Sequence, residues 1–269
     1  MQVSRRLVPE VPSLRHFASV FLLACALTAT FATAQTPAFE VATIKPVDPA
    51  PRSGRFMRME GAHRFEARNF TLKLLIAAAY DLNPRTISGG PGWVDSDKFE
   101  IHAVTPGDKA PDYDTQMRML RTLLTERFHL TFHRQPKIFS IYEITVTKDG
   151  PSLAPSLTPD EPPQVTSVVY PDKMMMPARN ATISDLARVM QRAILDRPVV
   201  DRTGLTDRYN FNLEWVPDET QFGGEMPPMP DSQSPPLLVA MQQQLGLQMR
   251  AVKGTVDAMV IDRAQKPEN

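Results

Sequence analysis

Ala67-Arg68-Asn69-Phe70-Thr71-Leu72 recurs 111 positions later as Ala178-Arg179-Asn180-Ala181-Thr182-Ile183, with four identities in six places. Each hexapeptide opens an amphipathic pattern. Leu72, Leu75, Ile76 and Ala79 fall at i, i+3, i+4 and i+7, and Ile183, Leu186, Ala187 and Met190 repeat that spacing. Both stretches therefore predict a helix with one apolar face turned to a sheet. Thr71 and Thr182 are the expected N-caps. Asp185, three residues after Thr182, completes a capping box, whereas the first copy has Leu74 at that place and relies on its threonine alone.

Working outward, the next features recur in order. Gly92-Trp93 precedes Asp97-Lys98-Phe99-Glu100-Ile101, and Gly204-Leu205 precedes Asp207-Arg208-Tyr209-Asn210-Phe211. A second helix is expected in each copy, through Leu120, Leu123, Leu124 and Phe128, or Leu237, Leu238, Met241 and Leu245. In the later helix Ser234 ahead of Pro235-Pro236 reads as a start and Gly246 as a stop. Alternation and β-branched content predict strands over 39–44, 98–103, 130–133, 141–147, 209–215 and 256–262. The expected fold is α+β: two tandem copies of a strand-helix-strand-strand-helix-strand-strand module, with helices on one face of a mostly antiparallel sheet. The first module covers 35–150, a Pro-rich linker 151–173 and the second module 174–269. A second Pro- and Gly-rich stretch, 216–236, enlarges a connection that is much shorter in the first copy.

The 269 residues carry 30 Lys+Arg against 30 Asp+Glu and are 42% hydrophobic. That balance fits a globular chain and argues against a dedicated nucleic-acid binder, which normally presents a strongly basic surface. Proline, 26 residues, is about twice its usual frequency of roughly 5% and predicts long extended connections.

Residues 1–34 read as a secretory signal. Arg5, Arg6 and Arg15 precede an apolar, uncharged stretch over 17–31, and Ala32-Thr33-Ala34 gives the small-x-small pattern ahead of Gln35. The apolar stretch falls short of the about 20 residues that a membrane anchor needs. A lipoprotein cut at Leu22-Leu23-Ala24-Cys25 is the alternative. Cleavage after Ala34 would remove three arginines, one glutamate and the only cysteine, leaving a net charge of −2 and no thiol for catalysis or disulfides. The expected location is periplasmic or extracellular, without a transmembrane segment after signal removal.

Several stretches together resemble an uncharacterised soil-associated protein family, abundant as paralogues in acidobacteria. They are Phe39-Glu40-Val41-Ala42-Thr43-Ile44-Lys45-Pro46, Ile87-Ser88-Gly89-Gly90-Pro91-Gly92-Trp93, Glu126-Arg127-Phe128 with His133-Arg134, Val199-Val200-Asp201-Arg202-Thr203-Gly204-Leu205, and Val260-Ile261-Asp262 with Lys266-Pro267. The resemblance covers essentially the whole chain beyond the signal and implies a domain of unknown function. Some members are fused behind antirepressor-type membrane zinc peptidases, which implies an extracytoplasmic sensing or interaction role. The His-Glu-x-x-His signature of those peptidases is missing from this sequence, so that activity does not carry over. Each half is also similar in pattern to the short N-terminal modules of secretins and TonB-dependent receptors, through Thr71-Leu72, Leu123-Leu124 and Leu245-Gly246-Leu247.

No chemistry-bearing motif stands out. His129 and His133 sit in a strand pattern about 13 Å apart at about 3.3 Å per residue, too far to share an ion. His63 and His102 have no clustered partners. Ser88-Gly89-Gly90 lacks the surroundings of a nucleophile elbow or a phosphate loop and reads as a turn. Asp95, Asp97, Asp201 and Asp207 recur beside turns, where aspartate is a preferred turn former. Arg52, Arg55, Arg58, Arg64 and Arg68 read as a solvated loop and strand face, with an anionic ligand as the alternative. Asn69 and Asn180 match glycosylation acceptors but stand where each helix begins, which favours turn formation. No catalytic residue, cofactor-binding residue or metal ligand is assigned. Trp93, with Gly89, Gly90 and Asp97, is the candidate partner contact, core packing being the competing role of Trp93.

The sequence thus points to an exported, non-enzymatic binding or interaction module of the cell envelope, whose partner is an envelope protein or extracellular ligand. Two alternatives stay open. One is an extracellular hydrolase using carboxylates such as Asp97 and Asp207 at an inter-module cleft, and the other is a small-ligand carrier.

Overall fold

The computed structural model describes residues 36–47, 54–224 and 226–268. The expected signal, Arg52 and Cys25 lie outside the described residues. The chain from Thr36 onward forms one compact unit of mixed α/β structure, with several mostly antiparallel sheets and few helices.

The first half runs β1 (Val41–Pro46), β2 (Phe56–Glu60), β3 (Arg64–Thr71), α1 (Leu72–Ala79), β4 (Ile87–Gly89), α2 (Trp93–Ser96), β5 (Lys98–Val104), α3 (Tyr113–Arg127) and β6 (Thr131–Val146). The second runs β7 (Ala154–Pro155), β8 (Gln164–Val165), β9 (Val168–Val169), β10 (Met174–Ala181), α4 (Ile183–Val189), a π-helical turn (Met190–Ile194), β11 (Val199–Asp201), β12 (Tyr209–Trp215), α5 (Leu237–Leu245) and β13 (Leu247–Arg263). One antiparallel sheet has the order β1-β5-β3-β2. A second has β7-β12-β10-β8, with β9 also on β10. The third has β11-β6-β13-β4, in which β6 and β13 are antiparallel and the two short outer strands are parallel to their neighbours.

The recurring hexapeptide is the hinge between strand and helix in both halves. Asn69 (φ 61°) and Asn180 (φ 51°) take left-handed backbone, which asparagine tolerates better than most residues. The register of β3 and of β10 slips at the same place, between Ala67 and Phe70 and between Ala178 and Ala181. Thr71 then accepts from the Leu74 N–H, and Thr182 with Asp185 forms the complete capping box. At α5 the start differs from expectation: the N-cap is Pro236 and not Ser234, and proline has no side-chain acceptor to cap with, while the Val216 N–H bonds the Pro235 carbonyl just ahead of it. Gly246 ends α5 as expected, in left-handed backbone.

The two strands expected over 130–133 and 141–147 are the two ends of one strand, β6, Thr131–Val146, which runs through Pro136. That proline lies opposite Asp257 of β13, and β11 joins the far edge only at Tyr142–Ile144. The missing N–H therefore needs no partner on that side. Over residues 135–141 of β6 the β6/β13 pair is a two-stranded ribbon, open enough for Ile138 to be exposed. Its ends serve two different cores. Ile144 of β6 packs with Met176, Leu186, Leu213, Trp215 and Met241. Met259 and Ile261 of β13 pack with Phe65, Ile76, Ile101, Leu124 and Phe128.

The Pro-rich segment 151–173 contributes β7, β8 and β9, which line the edges of the second sheet. No helix among the described residues is long and apolar enough to cross a membrane.

Candidate functional site

The tetrapeptide after α1 and the turn that ends α4 are bound to each other. Asp81 takes positive φ (51°), which bends the chain out of the helix. Its carbonyl accepts the Gln191 side-chain amide at 2.6 Å. Asn83 is buried and donates from Nδ2 to the Gln191 carbonyl at 2.8 Å and the Leu195 carbonyl at 3.2 Å. The Leu195 N–H reaches five residues back to the Met190 carbonyl at 2.7 Å. Such π turns insert one extra residue into the helical ladder and are frequent at functional sites.

Beside this junction lies a cleft of about 470 Å³. Asp81, Tyr113, Asp114, Asp185, Arg188 and Arg192 line it, together with Pro162, Pro163 and β8. Its inner charges are mutually satisfied. Arg192 bonds the Asp81 carboxylate at 3.1 Å and the Tyr113 hydroxyl, and its guanidinium carbon lies 4.8 Å from the Tyr113 ring centroid. Arg188 pairs with Asp185 and lies 3.8 Å from Asp81. Burial pushes the Asp185 pKa upward, but hydrogen bonds from the Thr182 N–H and hydroxyl and from Arg188 outweigh it, so the carboxyl ends below its ordinary range. Burial likewise lowers Arg188, and Asp185, Asp81 and Asp114 together raise it above its ordinary value. At the rim, Asp112 caps α3 by accepting the Thr115 N–H at 2.7 Å, a bond that lowers its pKa.

The residues singled out in the sequence lie elsewhere. Gly89 is the last residue of β4, and both Gly89 (φ 80°) and Gly90 (φ 75°) are left-handed. A Cβ on Gly89 would meet the Ile261 carbonyl oxygen at 2.6 Å. Close approach to β13, and not only a turn, is thus what requires glycine there. Trp93 is half-buried, 6.4 Å from the Phe128 ring in a stacked pose and edge-on to Phe99, with the Lys266 ammonium 5.9 Å from its own centroid. Lys266 also binds Asp97 at 2.6 Å. That bond, with one from Ser96, lowers the Asp97 pKa, the opposite of what a general acid requires. Asp95 pairs with Lys73, and Asp201 accepts the Thr203 N–H and hydroxyl in a local turn. Asp207 is exposed.

Two histidine expectations change. His129 stands just before β6 with positive φ (48°), and His133 bonds Asp262 at 2.8 Å. His102, expected to stand alone, clusters with Glu66 and Glu100 on adjacent strands, their ligand atoms within 4.8 Å of one another. Arg58 and Arg68 already bind those carboxylates, with Arg68 reaching Glu100 at 2.6 Å. The cations of this group are therefore its own arginines.

Residues 73–264, more than half of the chain, match the family model described as Protein of unknown function (DUF3738). The chain belongs to this family. The DUF3738 span takes in every residue lining the cleft, whereas Glu66 and the arginines beside it on β2 and β3 fall outside it. No curated protein and no solved structure matches the chain.

Proposed function

We propose that this DUF3738 chain is an exported, non-catalytic binding protein of the cell envelope, built on a duplicated frame and using the cleft as its contact site. The cleft carries the reading: it combines an apolar wall with a few ordered polar groups, the usual make-up of a recognition site. Its inner acids and bases are locked to one another, an arrangement suited to holding a shape and ill-suited to moving protons. The duplicated frame is supported by the element order β3-α1-β4-α2-β5-α3-β6 and its counterpart β10-α4-β11-β12-α5-β13, which differs by lacking the short α2. Export is supported by the signal pattern over 1–34, and the likeness of each half to secretin and TonB-receptor modules points toward protein contacts.

The test has two parts. Fractionation with N-terminal sequencing should find the protein outside the cytoplasm, beginning at Gln35. In-cell crosslinking of the tagged full-length protein, followed by mass spectrometry, should capture an envelope partner that is lost on Tyr113→Ala. Cytoplasmic retention would refute export. Self-crosslinks alone would refute the contact role and move weight to the hydrolase and carrier readings.

A further inference from the structure

The cleft is bordered by an open strand. β8 is the outermost strand of its sheet, hydrogen-bonded to β10 on one side, and among the described residues no strand pairs with its other side. Exposed edges of this kind accept an added strand, in which main-chain bonds supply affinity and side-chain pockets supply selection. Gln164 and Val165 of β8 line the cleft directly, so a strand laid along β8 would carry one of its side chains toward the cavity.

The charge of the cavity sets what that side chain is. Asp81, Asp112, Asp114 and Asp185 face two cations, Arg188 and Arg192, for a net of two negative charges. Both arginines are engaged by the inner aspartates, and the surplus lies at the rim with Asp112 and Asp114, both exposed. An acidic side chain would meet the rim carboxylates before any free cation. A basic one meets them favourably, and its methylene stem can lie along the Tyr113 ring and the two prolines.

We propose that the cleft docks an extended peptide segment that pairs with the free edge of β8 and sets a lysine or arginine side chain against Asp112, Asp114 and Tyr113. This rests on the binding-protein reading and names the class of its partner.

The experiment measures binding of a fluorescently labelled Val-Lys-Val-Lys-Val-Lys-Val peptide to the purified protein. Its glutamate counterpart and a version N-methylated on alternate backbone nitrogens serve as comparisons. The lysine peptide should bind, weaken as salt rises, and lose about tenfold in affinity on Asp112→Ser with Asp114→Asn. Serine preserves the N-cap of α3, and unchanged thermal melting would confirm that the fold survives. The glutamate peptide should not bind, and N-methylation should abolish binding. Equal or tighter binding of the glutamate peptide overturns the charge assignment, and unaffected binding of the N-methylated peptide overturns strand pairing. If no peptide binds while an envelope partner is still captured through Tyr113, the ligand class fails and the binding reading stands. If that partner is also missing, both fail.

Discussion

Asn83 and Gln191, 108 residues apart in the chain, tie their two segments together, Asn83 through the Gln191 backbone and Gln191 through the backbone of Asp81, two residues before Asn83. The Asn83 amide donates to the Gln191 carbonyl at 2.8 Å, and the Gln191 amide donates to the Asp81 carbonyl at 2.6 Å. Without the Asn83 amide, the Gln191 and Leu195 carbonyls at the end of the π turn lose their donor. Leaving buried acceptors unpaired costs about 1–3 kcal/mol. Asn83→Ala should therefore lower the unfolding free energy from urea titration by that amount, and the melting temperature by about 2–4 °C per kcal/mol for a chain of this size. Hydrogen exchange should show the loss concentrated around 190–195. An unchanged midpoint would mean that the contact is incidental.

Asp185 should contribute to stability with a definite pH dependence. Its carboxyl is depressed in the folded protein by Thr182 and Arg188, against the upward push of burial. A depressed carboxylate stabilises fully above its unfolded pKa of about 3.9 and loses that contribution as pH falls through the folded value. Asp185→Asn should be less stable at pH 7 by about 1–2 kcal/mol, the size of a cap. The gap to the parent should narrow below about pH 4 as the parent's carboxyl becomes protonated. Urea titrations from pH 7 to pH 2.5 would decide it, and parallel curves would refute the linkage.

The local signals of this fold were plain in the sequence, and the long-range ones were not. Thr71, Thr182 and Gly246 act within a few residues of themselves, so their capping and stopping roles could be read directly. β3 carries a legible signal, Phe65 and Ala67 alternating with Arg64, Glu66 and Arg68, but it is short and ends in the bulge at Asn69, whereas the run Met174-Met175-Met176-Pro177 hides the alternation of β10. Pro177 is accommodated because it falls between the stretches of β10 that pair with β9 and with β8. β6 reads as two strands because in its middle Ile138 is exposed while Lys137 is half-buried, and Pro136 interrupts the run, so no apolar-inside alternation shows in the sequence there. The cleft was illegible for a different reason. Arg188 and Arg192 stand one helical turn apart beside Asp185, a visible spacing, but Asp81 and Tyr113 reach them from more than 70 residues away, and only the fold brings them together.

Gly89 and Gly92 offer a paired test of what the glycine-rich stretch does. Gly89→Ala places a methyl group 2.6 Å from the Ile261 carbonyl oxygen in left-handed backbone. The backbone alone costs about 1–2 kcal/mol, and the clash with β13 should take the total beyond about 2 kcal/mol. Gly92 has ordinary φ and open space around it, so Gly92→Ala should be neutral or stabilising by up to about 1 kcal/mol. Equal effects of the two substitutions in chemical denaturation would refute the close-approach explanation.

Trp93 should behave chiefly as a packing residue. Stacked on Phe128 and capped by Lys266, it has little ring face left for a partner. Trp93→Ala should cost about 2–4 kcal/mol, toward the lower end of large-to-small losses because the ring is only half-buried. Capture of an envelope partner should persist at temperatures where the variant is still folded. Loss of the partner with stability intact would restore Trp93 as the contact.

The crossing ribbon makes a prediction about the two halves of the chain. The core around Phe65 and Phe128 is completed by Met259 and Ile261, and the core around Leu213 and Trp215 by Ile144. A polypeptide ending at 150 would therefore lack the strand that covers its own core, and one beginning at 151 would lack β6 beside β11 and β13. Each piece alone should be insoluble or lack cooperative unfolding, because an exposed apolar face and unpaired strand edges favour aggregation. Co-expressed, 36–150 and 151–269 should associate through β6 and β13 and recover a cooperative transition. Met259→Ala, at a fully buried site, should weaken that association by about 2–5 kcal/mol. A cooperative, monomeric 36–150 fragment would show that the shared ribbon is not required for either core.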